Sequence, residues 1–211
     1  MKLINYLQNQ KNRKKIMKIC LFGGTFDPPH IGHLLIAQTV YEAENFDKIL
    51  FIPAYAPPHK NVITPMEHRV EMVKIAISGN PNFEYSDVDI IRQGISYTID
   101  SVLDIKSKLG LTNDEIYYLV GSDNLIDFKN WKSPKEILEK CNVIVAIRPG
   151  FRPSDIPHWI LQKVHFANIP RFELASTKIR ARWVKGLTIR YMVTLPIWEY
   201  INDNNLYSGK D

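Results

Sequence analysis

One stretch, residues 18–38, limits what this chain can fold into more than any other. The apolar run Lys18-Ile-Cys-Leu-Phe opens into Gly23-Gly24-Thr25-Phe26-Asp27-Pro28-Pro29-His30-Ile31-Gly32-His33, and Leu-Leu-Ile-Ala-Gln follows. Apolar residues at Ile31, Leu34, Leu35 and Ala37 have helical spacing, so the pattern predicts a buried strand, a tight loop and an amphipathic helix. Gly23 and Gly24 allow the backbone to approach a ligand closely. The helix behind them turns its free N–H groups and positive dipole end toward the loop. His30 and His33 fall on one face of its first turn. The loop therefore fits an anion with two imidazoles beside it. A plain structural turn is the alternative, and His-x-x-His is also a metal pattern, although no third-ligand cluster with metal spacing accompanies it.

The rest of the chain supports one core. At 211 residues and 45% hydrophobic content it suffices for a single well-packed domain. No apolar run approaches membrane-spanning length and no signal-peptide core is present, so a soluble, cytoplasmic protein with no membrane partner is expected. The net charge of +5 lies entirely in residues 1–16, which carry Lys2, Lys11, Arg13, Lys14 and Lys15 and no acid; the remainder has 22 residues of each sign. That distribution predicts a basic N-terminal extension over 1–16, solvated and dispensable, ahead of a domain at 17–211 that starts from Met17. It does not predict a specific nucleic-acid partner. Cys20 and Cys141, both in apolar runs read as strands, make no redox or zinc motif.

Strand and helix signals then alternate. Ile49–Ile52 reads as a second strand, and a proline-stiffened loop after it carries His59 and Lys60. Met66, Val70, Val73 and Ile77 mark a second helix, Phe83 to Ile91 a strand, and Ile99, Val102, Leu103 and Leu109 a third helix stopped by Gly110. A Gly94-Ile95-Ser96-Tyr97-Thr98 loop precedes that helix, a second place for backbone amides to hold an anion. Glu115 to Val120 reads as a strand with Gly121-Ser122-Asp123 at its end; Phe128 and Trp131 follow in a short helical stretch. Ser133-Pro134-Lys135-Glu136 has the form of a capping box. Asn142 to Ile147 leads into Arg148-Pro149-Gly150, Val164-His165-Phe166 is a last strand, and the Ser176 and Thr177 hydroxyls are placed to cap a helix with Arg180 one turn in. A final helix between Tyr191 and Leu206 packs back on the domain. Five or six strands alternating with helices predict an α/β fold, one doubly wound, mostly parallel sheet of Rossmann-like type. Asp123, at a strand's carboxyl end, then faces the same crevice as the opening loop.

These motifs carry a resemblance. Gly23 to His33 resembles the signature of the His-x-Gly-His nucleotidyltransferase superfamily, and Ala175-Ser176-Thr177-x-Ile179-Arg180 is similar to its C-terminal motif. Gly94 to Asp100, Gly121-Ser122-Asp123, Phe128-x-x-Trp131 and Arg148-Pro149-Gly150 resemble the bacterial nicotinate-nucleotide adenylyltransferases in type and order, over residues 17 to 208. The resemblance implies transfer of the adenylyl group of ATP to nicotinate mononucleotide, giving nicotinate adenine dinucleotide and pyrophosphate, by direct attack without a covalent enzyme intermediate.

It also implies roles. His30, His33 and Arg180 would be catalytic, and Gly23, Gly24, Thr25, Phe26, Asp123, Ser176 and Thr177 would bind ATP, Asp123 at the ribose. Lys60 and Arg148 would grip the mononucleotide phosphate, Trp131 would stack on the pyridine ring, and backbone amides near Thr98 would receive the carboxylate. Mg2+ would arrive with ATP on phosphate oxygens and water, with no metal ligands from the protein. Ala175 stands where the family motif has a serine, which removes one hydroxyl donor. Two rivals remain at this point: an enzyme preferring nicotinamide mononucleotide, and a nucleic-acid-binding module that uses the basic tail. No oligomeric state follows from the residues.

Overall fold

A computed structural model describes residues 17–58, 62, 64–170 and 172–208. The extension at 1–16, and His59 and Lys60, lie outside the described residues. The chain runs β1 (Ile19–Gly24), α1 (Ile31–Glu44), β2 (Lys48–Pro53), α2 (Met66–Ile77), β3 (Phe83–Tyr85), α3 (Val88–Arg92) and α4 (Thr98–Leu109). Then follow β4 (Ile116–Gly121), α5 (Ser122–Leu125), a 3-10 turn (Phe128–Asn130), α6 (Pro134–Lys140), β5 (Asn142–Ala146), α7 (His158–Leu161), β6 (Val164–Ala167), α8 (Ser176–Val184) and α9 (Leu195–Asp203). The strands form a six-stranded sheet in the order β3-β2-β1-β4-β5-β6, and every pairing is parallel.

Alternation along the strands builds a core on each face. Ile19, Leu21, Leu50, Ile52, Val120 and Val143 pack on one side with Val102 and Ile105 of α4 and Ile137 of α6. Cys20, Phe22, Ile49, Phe51, Leu119 and Ile144 pack on the other with Ile36 and Val40 of α1 and Val73 of α2. A third cluster joins Met72 of α2 to Ile179, Ile189, Ile197 and Ile201, seating α8 and α9. No helix among the described residues is long and apolar enough to cross a membrane.

The sheet order reverses between β1 and β4, where a doubly wound sheet opens its ligand crevice. Here the opening is pronounced. The two strands are paired only over Ile19–Leu21 and Ile116–Tyr118, so Phe22 to Gly24 and Leu119 to Gly121 diverge. The Tyr118 hydroxyl fills the fork and would lie 2.5 Å from a Cβ on residue 23, which makes glycine necessary there.

Four local expectations differ from the structure. The Phe83–Ile91 segment is strand only to Tyr85, and α3 follows; Asp89 is buried and pairs with Arg92 three residues on at 2.6 Å, a helical contact that an extended chain would not make. Ser133 precedes α6 with φ 50° and ψ 52° and makes no side-chain cap, so Pro134 begins the helix without a capping box. Ala175 holds the cap position of α8, and the Ser176 hydroxyl donates 2.9 Å away to the Pro28 carbonyl. Cys141 lies between α6 and β5, outside the strand; burial raises its thiol pKa to about 12.

Candidate active site

The cleft above the β1–β4 fork encloses about 700 Å3. Into it the structure brings Gly23, Gly24, Thr25, Phe26, His30, His33, Thr98, Asp123, Trp131, Arg148, Ser176, Thr177 and Arg180. Of the residues singled out from sequence in the loop after β2, His59 and Lys60 fall outside the described residues.

The histidine pair has one specific geometry. His30 is the N-cap of α1, and its Nδ1 accepts the backbone N–H of His33 while the Nδ1 of His33 accepts that of His30, both at 3.2 Å. The rings stack, 3.6 Å between centroids and 20° between planes. This reciprocal arrangement satisfies two of the donors a helix start leaves open. It also decides the proton: with each Nδ1 accepting, a neutral imidazole carries its hydrogen on Nε2. Burial and the nearby positive charge of Arg148 push the His30 pKa down to about 4, so His30 is neutral at physiological pH. Gly32 between them is required by space, since a Cβ there would sit 2.6 Å from the Phe172 ring and 2.9 Å from His30 Nδ1.

The loop is held rigidly from below. Phe26, buried at φ 50°, sets its ring edge-on to Phe22 at 5.6 Å and to His33 at 5.1 Å. Arg69 of α2 is 1% exposed and spends its guanidinium on backbone carbonyls: Ala54 at 2.7 Å, Thr25 and Tyr55 at 3.0 Å, and Thr64 at 3.3 Å. Burial lowers its pKa, opposed by the charge of Asp27. One side chain thus ties the loop after β1 to the segment after β2. Sequence reasoning missed it, although a charged residue four before Val73, on the apolar stripe of α2, was the available signal. The C-terminal motif closes the other side: Arg180 Nη1 donates to the Asp27 carbonyl at 2.6 Å, beside the Ser176 contact with Pro28.

The opposite end is built from side chains. Trp131 is half-buried, tilted on Phe128 at 5.0 Å and perpendicular to Tyr118 at 6.3 Å. Thr98 opens α4 and shares a 3.2 Å hydrogen bond with the Tyr118 hydroxyl, whose pKa burial pushes up to about 12. Lys132 pairs with Asp100 at 2.9 Å and lies 4.7 Å over the Tyr97 ring. Asp123 and Arg148, read separately as ribose and phosphate ligands, contact each other: Arg148 Nη1 is 3.3 Å from Asp123 Oδ2. Arg148 Nε is buried with no partner. Among the described residues no group of three or more His, Cys, Asp or Glu side chains could hold a metal ion.

Comparison with known proteins places this geometry. Residues 21–182 match the Cytidylyltransferase-like family. The nicotinate-nucleotide adenylyltransferase of Bacillus subtilis is 39% identical over 194 residues, covering 91% of this chain and 99% of that protein. A Dictyoglomus turgidum protein named "Probable nicotinate-nucleotide adenylyltransferase" is 38% identical over 200 residues, covering 92% and 98%. The solved structure of Plasmodium falciparum nicotinic acid mononucleotide adenylyltransferase complexed with NaAD superposes with a TM-score of 0.75 over 90% of this chain and 97% of that one; at 22% identity the likeness is one of fold. With matches of this extent and identity across the sheet, the cleft and both motifs, the chain belongs to the nicotinate-nucleotide adenylyltransferase family.

Proposed function

We propose that the protein joins nicotinate mononucleotide to ATP, giving nicotinate adenine dinucleotide and pyrophosphate, a step in NAD biosynthesis. The observation that carries this is the histidine pair, pinned through both Nδ1 atoms at the end of β1, in the same cleft as Trp131 and the amides that open α4.

An oxygen of the mononucleotide phosphate attacks the α-phosphorus of ATP. The new P–O bond forms as the bond to the β-phosphate breaks, and its electron pair leaves with pyrophosphate. The nucleophile is a phosphate already ionised at neutral pH, so no general base is needed. That suits His30, whose lowered pKa leaves it a neutral donor. His30 and His33 present Nε2–H to the transferring group, where charge builds in the transition state. Ser176, Thr177 and Arg180 hold the departing phosphates with the amides of Gly23 to Phe26, and Asp123 receives the ribose. Arg148, with Lys60, takes the mononucleotide phosphate; its pair with Asp123 opens as the substrates enter. Trp131 stacks on the pyridine ring, and the first amides of α4 donate to the nicotinate carboxylate.

A Mg2+ ion would arrive with ATP, held by its phosphate oxygens and water. Such an ion would supply neutralisation of the leaving charge.

Pyrophosphate release measured with nicotinate and nicotinamide mononucleotides tests the reading. A clear preference for the acid is expected. Preference for the amide overturns the substrate assignment, and salt-sensitive RNA binding through residues 2–15 without pyrophosphate release overturns the reaction.

A further inference from the structure

The segment after α9 reaches back to the phosphate loop. It turns through Asn205 and Tyr207 at φ 50° and 61°, left-handed backbone that a bulky residue keeps only where its surroundings hold it. Leu206 between them is buried with Ile197 and Ile201. Tyr207 is thereby delivered to Asp27, and its hydroxyl donates to Asp27 Oδ1 at 2.7 Å.

Asp27 is 5% exposed, and its charge lies near two guanidinium groups, those of Arg69 and Arg180. Arg69 already spends its donors on four carbonyls. Arg180 is in a different state: its Nη1 sits 2.6 Å from the Asp27 carbonyl oxygen but 3.7 Å from the carboxylate Oδ2. The guanidinium is held beside the carboxylate without the two-point pairing that Arg and Asp adopt when both are free to turn. A carboxylate that completed this pairing would consume the donors a triphosphate needs.

We infer that Tyr207 is a positioning residue for the triphosphate: by claiming one oxygen of Asp27 it keeps the donors of Arg180 available to the ligand. This rests on the reading of the cleft as an ATP site. Without the hydroxyl, the Asp27 carboxylate turns onto Arg180 and competes with ATP, whereas the mononucleotide end feels nothing.

The test is Tyr207→Phe in the full chain, read three ways: Kd for a non-hydrolysable ATP analogue by calorimetry, KM for each substrate, and Tm. Analogue Kd and ATP KM rise about tenfold, the scale of one hydrogen bond to a charged group, with mononucleotide KM and Tm close to wild type. Adding Asp27→Asn to Tyr207→Phe recovers most of the analogue affinity, because a neutral amide cannot form the competing ion pair. An unchanged analogue Kd, an equal loss for both substrates, or no recovery in the double variant overturns the inference. Should Tyr207→Phe fail to fold, Asp27→Asn alone decides: analogue binding as tight as wild type or tighter supports the competition, because the neutral amide leaves Arg180 to the ligand, and weaker binding overturns it. A wild type that binds the analogue but releases no pyrophosphate sinks the proposed reaction and leaves Tyr207 to be judged on binding.

Discussion

The two ends of the cleft are built on different principles. At the end holding His30, His33 and Arg180, side chains are tied to backbone: each histidine Nδ1 accepts the other's N–H, Arg69 donates to four carbonyls and Arg180 to the Asp27 carbonyl. At the end holding Trp131, Thr98 and Arg148, contacts run between side chains, and two of them are partly exposed ion pairs, Asp123–Arg148 and Asp100–Lys132. Backbone anchoring sets positions that ligand entry leaves unchanged, and transition-state stabilisation needs that. Exposed pairs are worth little on their own and exchange readily for a substrate's charge. In the function proposed above, reaction and recognition are separated along one crevice.

The sharpest way to break this contrast is at His33. On the proposed mechanism His33→Ala removes a donor to the transferring phosphate, and turnover is expected to fall by about a thousandfold or more, whereas the lost cap costs only about 1 kcal/mol of stability. Near wild-type kcat in a steady-state assay would sink the role. Arg69→Met strikes the anchoring itself. It leaves buried carbonyls unsatisfied in the phosphate loop and in the segment after β2, and urea unfolding records a loss of about 3 to 4 kcal/mol; a loss below 1 kcal/mol would mean that the loop holds itself.

Acid probes the same end without mutation of the anchor. The His30 pKa is about 4 in the folded state, below its ordinary value of 6.5. Between these pH values the unfolded chain binds the proton and the folded one does not, so stability falls as pH is lowered through that window, by about 3 kcal/mol from this residue in the ligand-free protein. Urea midpoints of wild type and His30→Gln, followed from pH 7 to 4, should converge as the wild type loses this increment; parallel curves would contradict the burial effect. Trp131→Ala has the smallest effect expected, an approximately tenfold rise in mononucleotide KM at nearly constant kcat, since stacking serves ground and transition states alike. A fall in kcat with unchanged KM would place Trp131 with the rigid end.

Much of the sheet could be read from periodicity, because β1, β2, β4 and β5 are short apolar runs punctuated by Gly and Pro, and α2 and α4 carry regular apolar stripes. The opening loop was legible for the same reason: its glycines, prolines and histidines are local. What escaped reading was held by distant partners. The turn into α3 depends on Asp89 meeting Arg92 and Ser101, and the Ser176 hydroxyl abandons its helix for Pro28, 148 residues away. Asp123 and Arg148 each looked like a free ligand because no spacing rule records that the ends of β4 and β5 bring them together. Arg69 showed only as a charge on an apolar stripe, and for Tyr207 no local pattern existed at all.

The contact between Asp27 and Tyr207 spans 180 residues, and this sets a timetable. During synthesis the central strands and the paired histidines emerge first, but the loop between them gains its partners only when Ser176, Arg180, Met192 and Tyr207 arrive. A chain interrupted before α8 lacks Ser176, Thr177 and Arg180, and with them one whole side of the proposed triphosphate site.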